Sequence, residues 1–267
     1  MMRRTLTLYA IAAIAAFFCI VAARWQYGRH REVASLNSVV EERLEAPPVT
    51  PASLPPDPGL RAYRRVEVNG QFEPSGEWLW ANRVMNGSPG VNILTPLRMQ
   101  DGQAIVVNRG WVYAPDGRAA DRARFRETGM VTVRGYAQEF AGADGPADDP
   151  EDRVIGRVRR AQFAAADPDV APFYIVATDV EFATPRTPEA VRDSTPNRLP
   201  EPALSGGPHL SYMLQWIAFA IIVVVGTVFL DRQSRRGHRA AAEPAGDAGT
   251  GAAAGPRTAE PDAGTDE

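Results

Sequence analysis

Two uninterrupted apolar runs, Leu6–Ala23 and Met213–Leu230, stand near the two ends of the chain. Eighteen residues make a helix of about 27 Å at 1.5 Å per residue, close to the roughly 30 Å hydrocarbon layer of a bilayer. The first run carries no charge, and the second holds one strongly polar residue, Gln215, near its start. Both predict membrane-spanning helices. A cleaved secretory signal is the rival for the first, since Met1-Met2-Arg3-Arg4 precedes it. The run is longer than the usual ~7–15-residue signal core, which favours an uncleaved helix. Each run carries a polar-aromatic cluster at one end only. The first exits into Arg24-Trp25-Gln26-Tyr27-Gly28-Arg29-His30, and the second is entered through His209-Leu210-Ser211-Tyr212-Met213-Leu214-Gln215-Trp216. With both runs across a membrane, the clusters fall on the same face.

Between the runs the period changes. Val33, Leu36, Val40 and Leu44 recur at three- and four-residue spacing and extend the first helix. Six prolines in Glu45–Gly59 predict an extended linker. Alternation then predicts strands at Tyr63–Phe72, Glu77–Arg83, Gly90–Arg98, Gln103–Tyr113, Met130–Phe140 and Phe173–Phe182, with Asp101-Gly102 as a hairpin turn. A helix is predicted over Val158–Ala166, and Ala141–Arg153 reads as a loose, acid-rich insertion. The expected fold is a membrane protein: two transmembrane α-helices flanking a mainly β domain, an antiparallel sheet or small barrel of α+β character. Its expected divisions are a cytoplasmic N-terminus (1–5), a helix (6–23), a juxtamembrane segment and linker (24–59), an extracytoplasmic domain (60–208), a helix (209–230) and a disordered cytoplasmic tail (231–267).

Charge sets the orientation. The chain has no lysine, but Arg232, Arg235, Arg236 and Arg239 follow the second run. The positive-inside rule places that flank, and with two spans both termini, in the cytoplasm. The Ala/Arg/Pro/Gly-rich composition points to a high-GC bacterium and therefore to its cell membrane, with the lipid bilayer as a partner. A net charge of −3 leaves no nucleic-acid footprint, and one cysteine excludes an internal disulfide. No nucleophile–base pair, phosphate loop or metal-ligand helix is evident, so the chain does not read as an enzyme.

Candidate chemistry sits in the clusters. On a helix, His209, Tyr212 and Trp216 share one face, as do Trp25 and Arg29. Membrane anchoring explains the aromatics, because Trp and Tyr favour the interface. It explains His209 and Gln215 less well, since intramembrane polarity is expensive unless paired. A helix–helix or ligand-binding seam is the alternative, and an imidazole there could ligate a haem iron. In the outer domain, Asn108-Arg109-Gly110 interrupts a β-branched run and predicts a bend or bulge at Gly110. Asn82-Arg83 ends another strand in the same way. The two Asn-Arg pairs could form a buried polar network, or bind an anionic propionate or partner carboxylate.

A set of strings runs in order along the chain: Trp25-Gln26-x-x-Arg29; Arg65-Val66-x-x-x-Gly70-x-Phe72; Asn82-Arg83; Gly87-x-Pro89-Gly90; Leu94-Thr95-Pro96-Leu97; Val107-Asn108-Arg109-Gly110-Trp111-Val112; and His209-Leu210-Ser211-Tyr212-x-x-Gln215-Trp216. In this order, between two terminal helices, they resemble the surfeit locus protein 1 family of cytochrome c oxidase assembly factors. The resemblance implies an assembly factor that helps deliver or insert haem a into the oxidase catalytic subunit at the outer membrane face. It implies haem a as a transient cofactor and haem a synthase as a further partner. His209 would be the iron ligand, with Tyr212, Gln215, Trp216, Trp25 and Arg29 completing the binding face. The alternative is a membrane-anchored structural partner that stabilises an oxidase assembly intermediate without haem.

Overall fold

The computed structural model describes residues 2–142, 148, 151–184 and 194–242. Residues 243–267 of the expected disordered tail (231–267), and most of the acid-rich insertion, lie outside the described residues; residues 231–242, expected to be disordered, instead continue the last helix. The chain divides into two units: one takes in the chain up to Arg29 together with that from Pro208 onward, and the other is His30–Gly207.

The first unit is built by α1 (Met2–Glu45), as far as Arg29, and α4 (His209–Ala242). Both are long and apolar enough to cross a membrane. They run antiparallel, because Tyr9 Oη donates to Asp231 Oδ2 at 3.2 Å near one end and His209 meets Gln26 near the other. Between these ends Ala16, Cys19 and Ala220 are buried together, with Trp216 packed against them. The buried positions of α1, at Ala12, Ala16, Cys19 and Ala23, follow a 4-3-4 spacing. That spacing keeps the four on one stripe of the helix, where small side chains let a neighbouring backbone approach closely. The bulky residues face away: Ile11, Ile14, Phe17 and Phe18 on α1, and Ile221, Ile222 and Phe229 on α4, are exposed. This is a soluble helix pair turned inside out.

In the second unit, α1 continues past the apolar run. Val40 and Leu44 pack on the sheet, and Arg43 donates to the Ala62 carbonyl at 2.9 Å. Leu36, expected on the same face, is exposed. Seven strands follow: β1 (Arg65–Phe72), β2 (Trp78–Met85), β3 (Ser88–Met99), β4 (Ala104–Tyr113), β5 (Met130–Glu139), β6 (Val154–Ile155) and β7 (Phe173–Phe182). Their order is β1-β5-β7-β4-β3-β2-β6, and β1 also pairs with β3. Five strands therefore close into a small barrel, with β2 and β6 extending its wall. Val66, Val68 and Phe72 of β1 alternate inward to meet Ile105, Val107, Val131, Val133 and Ile175. Gly70 stands where β1 passes from β5 to β3, and a Cβ there would overlap the Arg98 carbonyl. Among the described residues the unit also holds two very short α-helices, α2 (Pro58–Arg61) and α3 (Arg160–Ala164).

Two expectations need correction. The sheet is mixed rather than antiparallel, because β7 runs parallel to β4 and β6 parallel to β2. Hairpin turns mark only pairings between strand neighbours in sequence, and these partners are distant, with α3 in the crossover that leads to β7. The proline-rich segment is also no free linker. Val49 exchanges backbone hydrogen bonds with Arg65 and Glu67 at 3.0 Å, and Leu54 packs on the barrel core. Prolines stiffen this segment, but the apolar residues between them fasten it to the domain.

Candidate functional site

At one end of the helix pair, His209 Nδ1 lies 3.0 Å from Gln26 Oε1. With the amide oxygen as acceptor, Nδ1 carries the proton and Nε2 keeps its lone pair. This is the arrangement in which an outer partner fixes the ring of a metal-ligating histidine. A neutral imidazole with a free Nε2 is a donor that would suit a haem iron, and His209 would be the residue to hold it. His209 and Trp216 are half-buried on the seam, on the turns leading to Ala220. Helical spacing joins His209 to Tyr212 and Trp216, yet Tyr212 is 47% exposed and Trp25 is 61% exposed. Arg29 and Gln215 are exposed as well. Of the six expected site residues, the structure thus brings His209 and Trp216 to the seam and turns the other four outward. The residue that meets His209 is Gln26. The heptad-like spacing of Ala12, Ala16, Cys19 and Ala23 continues to position 26 and would have found it.

The Asn-Arg motif of β4 does different work. Between the pairs Ile93↔Gly110 and Leu94↔Asn108 the register shifts, leaving Arg109 as the extra residue of a bulge. The bulge sends Arg109 inward, where it is 1% exposed. Its Nε donates to Glu127 Oε2 at 2.6 Å, and its Nη1 donates to Glu77 Oε2 at 2.9 Å. Arg198 pairs with the other Glu127 oxygen, and Thr95 donates to Glu77 at 2.8 Å. Two guanidinium groups thus face two carboxylates. Burial pushes the Glu77 carboxyl above its ordinary range, while Arg109 and the Thr95 hydroxyl pull it back. Gly110, at φ 131°, has Asn197 against it, and Trp111 and Asn197 exchange backbone hydrogen bonds of 2.8 Å. A Cβ at Gly110 would overlap the Asn197 carbonyl. The motif therefore clamps the 196–198 segment over the ion cluster.

The second pair does not join this network. Asn82, at φ 56°, is exposed, and Arg83 lies 4.4 Å over the Trp80 ring. β3 separates their strand from β4. Glu77 and Glu127, the partners that Arg109 does find, carry no local sequence signal, because their pairing depends on tertiary approach.

A family model described as the SURF1 family matches residues 13–221. A SURF1-like protein of Mycobacterium tuberculosis is 26% identical over 253 residues, covering 90% of this chain and 89% of its own length. A SURF1-like protein of Rickettsia felis is 23% identical over 208 residues, covering 75% of this chain and 86% of its own. The cytochrome oxidase assembly protein SHY1 of Saccharomyces cerevisiae is 32% identical over 101 residues, 35% of this chain and 26% of that protein.

Proposed function

This chain belongs to the SURF1 family, and from that premise we propose that it is a non-enzymatic assembly factor for a haem-copper cytochrome c oxidase. It assists delivery or insertion of haem a into the catalytic subunit, with haem a synthase as a second contact. The apolar exterior of α1 and α4 supports membrane insertion. The arginines that follow the second apolar run support a cytoplasmic C-terminal flank, with the sheet unit on the outer face. The name of the yeast relative supports the oxidase as the object of assembly.

One observation carries the haem reading: the His209–Gln26 pair at the end of an otherwise apolar seam. His209 would offer Nε2 to the iron, and Gln26 would hold the ring. Trp25, Arg29, Tyr212, Gln215 and Trp216 would line the surrounding face. Haem a supplies the iron centre that the oxidase requires. A second reading, stabilisation of an oxidase intermediate without haem, is favoured by the outward placement of Trp25 and Tyr212. Such aromatics suit contact with another membrane protein.

Purification in mild detergent with absorption spectroscopy separates the two readings. A Soret band that disappears in His209→Ala supports haem handling. Haem-free protein that still captures the oxidase catalytic subunit supports the second. In cells, His209→Ala should lower oxidase haem a while the protein stays inserted and folded. Normal oxidase spectra in that variant would remove His209 as a ligand.

A further inference from the structure

The face of the sheet opposite the barrel interior carries a cleft of about 430 Å³, within the range of roughly 300–1,000 Å³ seen for small-molecule sites. Register explains its construction. Trp80, Asn92 and Trp111 lie side by side across β2, β3 and β4, and Asn108, Val176 and Tyr136 across β4, β7 and β5. Asn108 and Trp111 are three residues apart and would face opposite ways on a regular strand. The bulge at Arg109 brings both to this face.

The walls are aromatic, and the two indole N–H groups among them are already engaged. Trp80 Nε1 donates to the Gly156 carbonyl at 3.0 Å, and Trp111 Nε1 to that of Arg83 at 3.2 Å. Tyr63 and Tyr136 stack with centroids 6.0 Å apart. What the two tryptophans offer is therefore π-surface, beside the rings of Tyr63, Tyr136 and Tyr174. Two polar groups stand out against them. Asn92 is 4% exposed, and its Oδ1 accepts no hydrogen bond. A buried acceptor without a donor is costly and uncommon. The Arg83 guanidinium rests over Trp80 with no carboxylate in ion-pair reach among the described residues.

We propose that this cleft binds a small planar aromatic acid carrying an N–H or O–H donor. The ring lies against the aromatic walls, the donor satisfies Asn92 Oδ1, and the acidic group pairs with Arg83. The site lies wholly within the sheet unit and is independent of any haem chemistry at His209.

Three probes test it on the full-length protein in detergent micelles, by calorimetry or saturation-transfer NMR. Indole-3-acetate carries all three features, 1-naphthylacetate lacks the N–H, and indole lacks the carboxylate. Indole-3-acetate should bind saturably, and the other two at least about tenfold more weakly, because a site built around buried polar groups penalises a ligand that leaves them unpaired. Asn92→Leu should erase the preference over 1-naphthylacetate, and Arg83→Gln the preference over indole. Arg83→Gln keeps the backbone carbonyl that Trp111 uses, so it serves even if Asn92→Leu misfolds. His209→Ala should change none of these affinities. Absence of saturable indole-3-acetate binding, equal affinity for all three probes, or discrimination that survives in both variants would overturn the proposal.

Discussion

The two units of this protein treat buried polarity in opposite ways. The sheet unit encloses charge: Arg109 is sealed between Glu77 and Glu127, with Arg198 closing the cluster from the 196–198 segment. The helix unit keeps its seam small and apolar through Ala16, Cys19 and Ala220, and places polar contacts near the ends. In the barrel, enclosed ions can hold a bulge and a strap in one arrangement. On a helix pair long and apolar enough to cross a membrane, a polar side chain that secures no packing is costly wherever lipid surrounds it, which makes it a candidate for function. The same residue types therefore carry structure in one unit and candidate function in the other.

The largest test removes the charge at the centre of the barrel cluster. Arg109→Ala leaves two carboxylates buried without their shared cation, and loss of one partner of a buried ion pair costs about 3–5 kcal/mol. Thermal unfolding followed by near-ultraviolet dichroism should show the sheet unit destabilised by that amount, with the helical signal retained. A shift no larger than that of a surface arginine would mean the cluster is not what fixes this unit.

Polarity in the helix unit should behave differently. Gln26→Ala should leave the helix pair folded but lower haem retention in detergent, by about 10–100-fold if Gln26 acts as the outer partner of a metal-ligating histidine. The effect should be smaller than that of His209→Ala and should leave the Soret position unchanged, since the ligand itself remains. Retention equal to wild type would mean that the His209–Gln26 contact only joins the helices.

How much of this was legible in the sequence follows the same division. The apolar runs, six of the seven strands and the bulge at Gly110 could be read directly, because periodicity and glycine placement are local signals. The parallel pairing of β4 with β7 could not, since nothing between the strands encodes it. In the clusters, helical spacing placed His209 and Trp216 on one face but selected Trp25 rather than Gln26 as the facing residue. The small-residue stripe, and not the aromatics, marks the seam, because small side chains let two helices approach closely. Val49 and Leu54 were hidden among prolines, whose stiffness reads as a spacer even where the residues between them dock.

The bulge offers an intermediate test. Gly110→Ala forces a side chain into a positive-φ position and against the Asn197 carbonyl. Strain of this kind costs about 1–3 kcal/mol. The first loss should be the Trp111–Asn197 pairing, seen as faster amide exchange at those two residues before any change at Val66 or Ile175. Uniform acceleration across the barrel would show that strap and core unfold together.

The smallest effect comes from protons. Burial holds the Glu77 carboxyl above its ordinary range despite the Arg109 cation beside it. Between the unfolded value and that raised folded value, the folded chain binds more protons than the unfolded chain. Stability contributed by this group must then fall as pH climbs through the window and level off above it. Glu77→Gln keeps acceptors for Thr95 and Arg109 but cannot titrate, so its stability relative to wild type should rise across the same window. Unfolding midpoints of the two proteins, measured from below the ordinary carboxylate range to neutrality, give that difference directly. If wild type instead gained stability over the variant as pH rose, the attraction of Arg109 would outweigh the cost of burial. The barrel would then be held by its enclosed charges outright, rather than by packing that tolerates them.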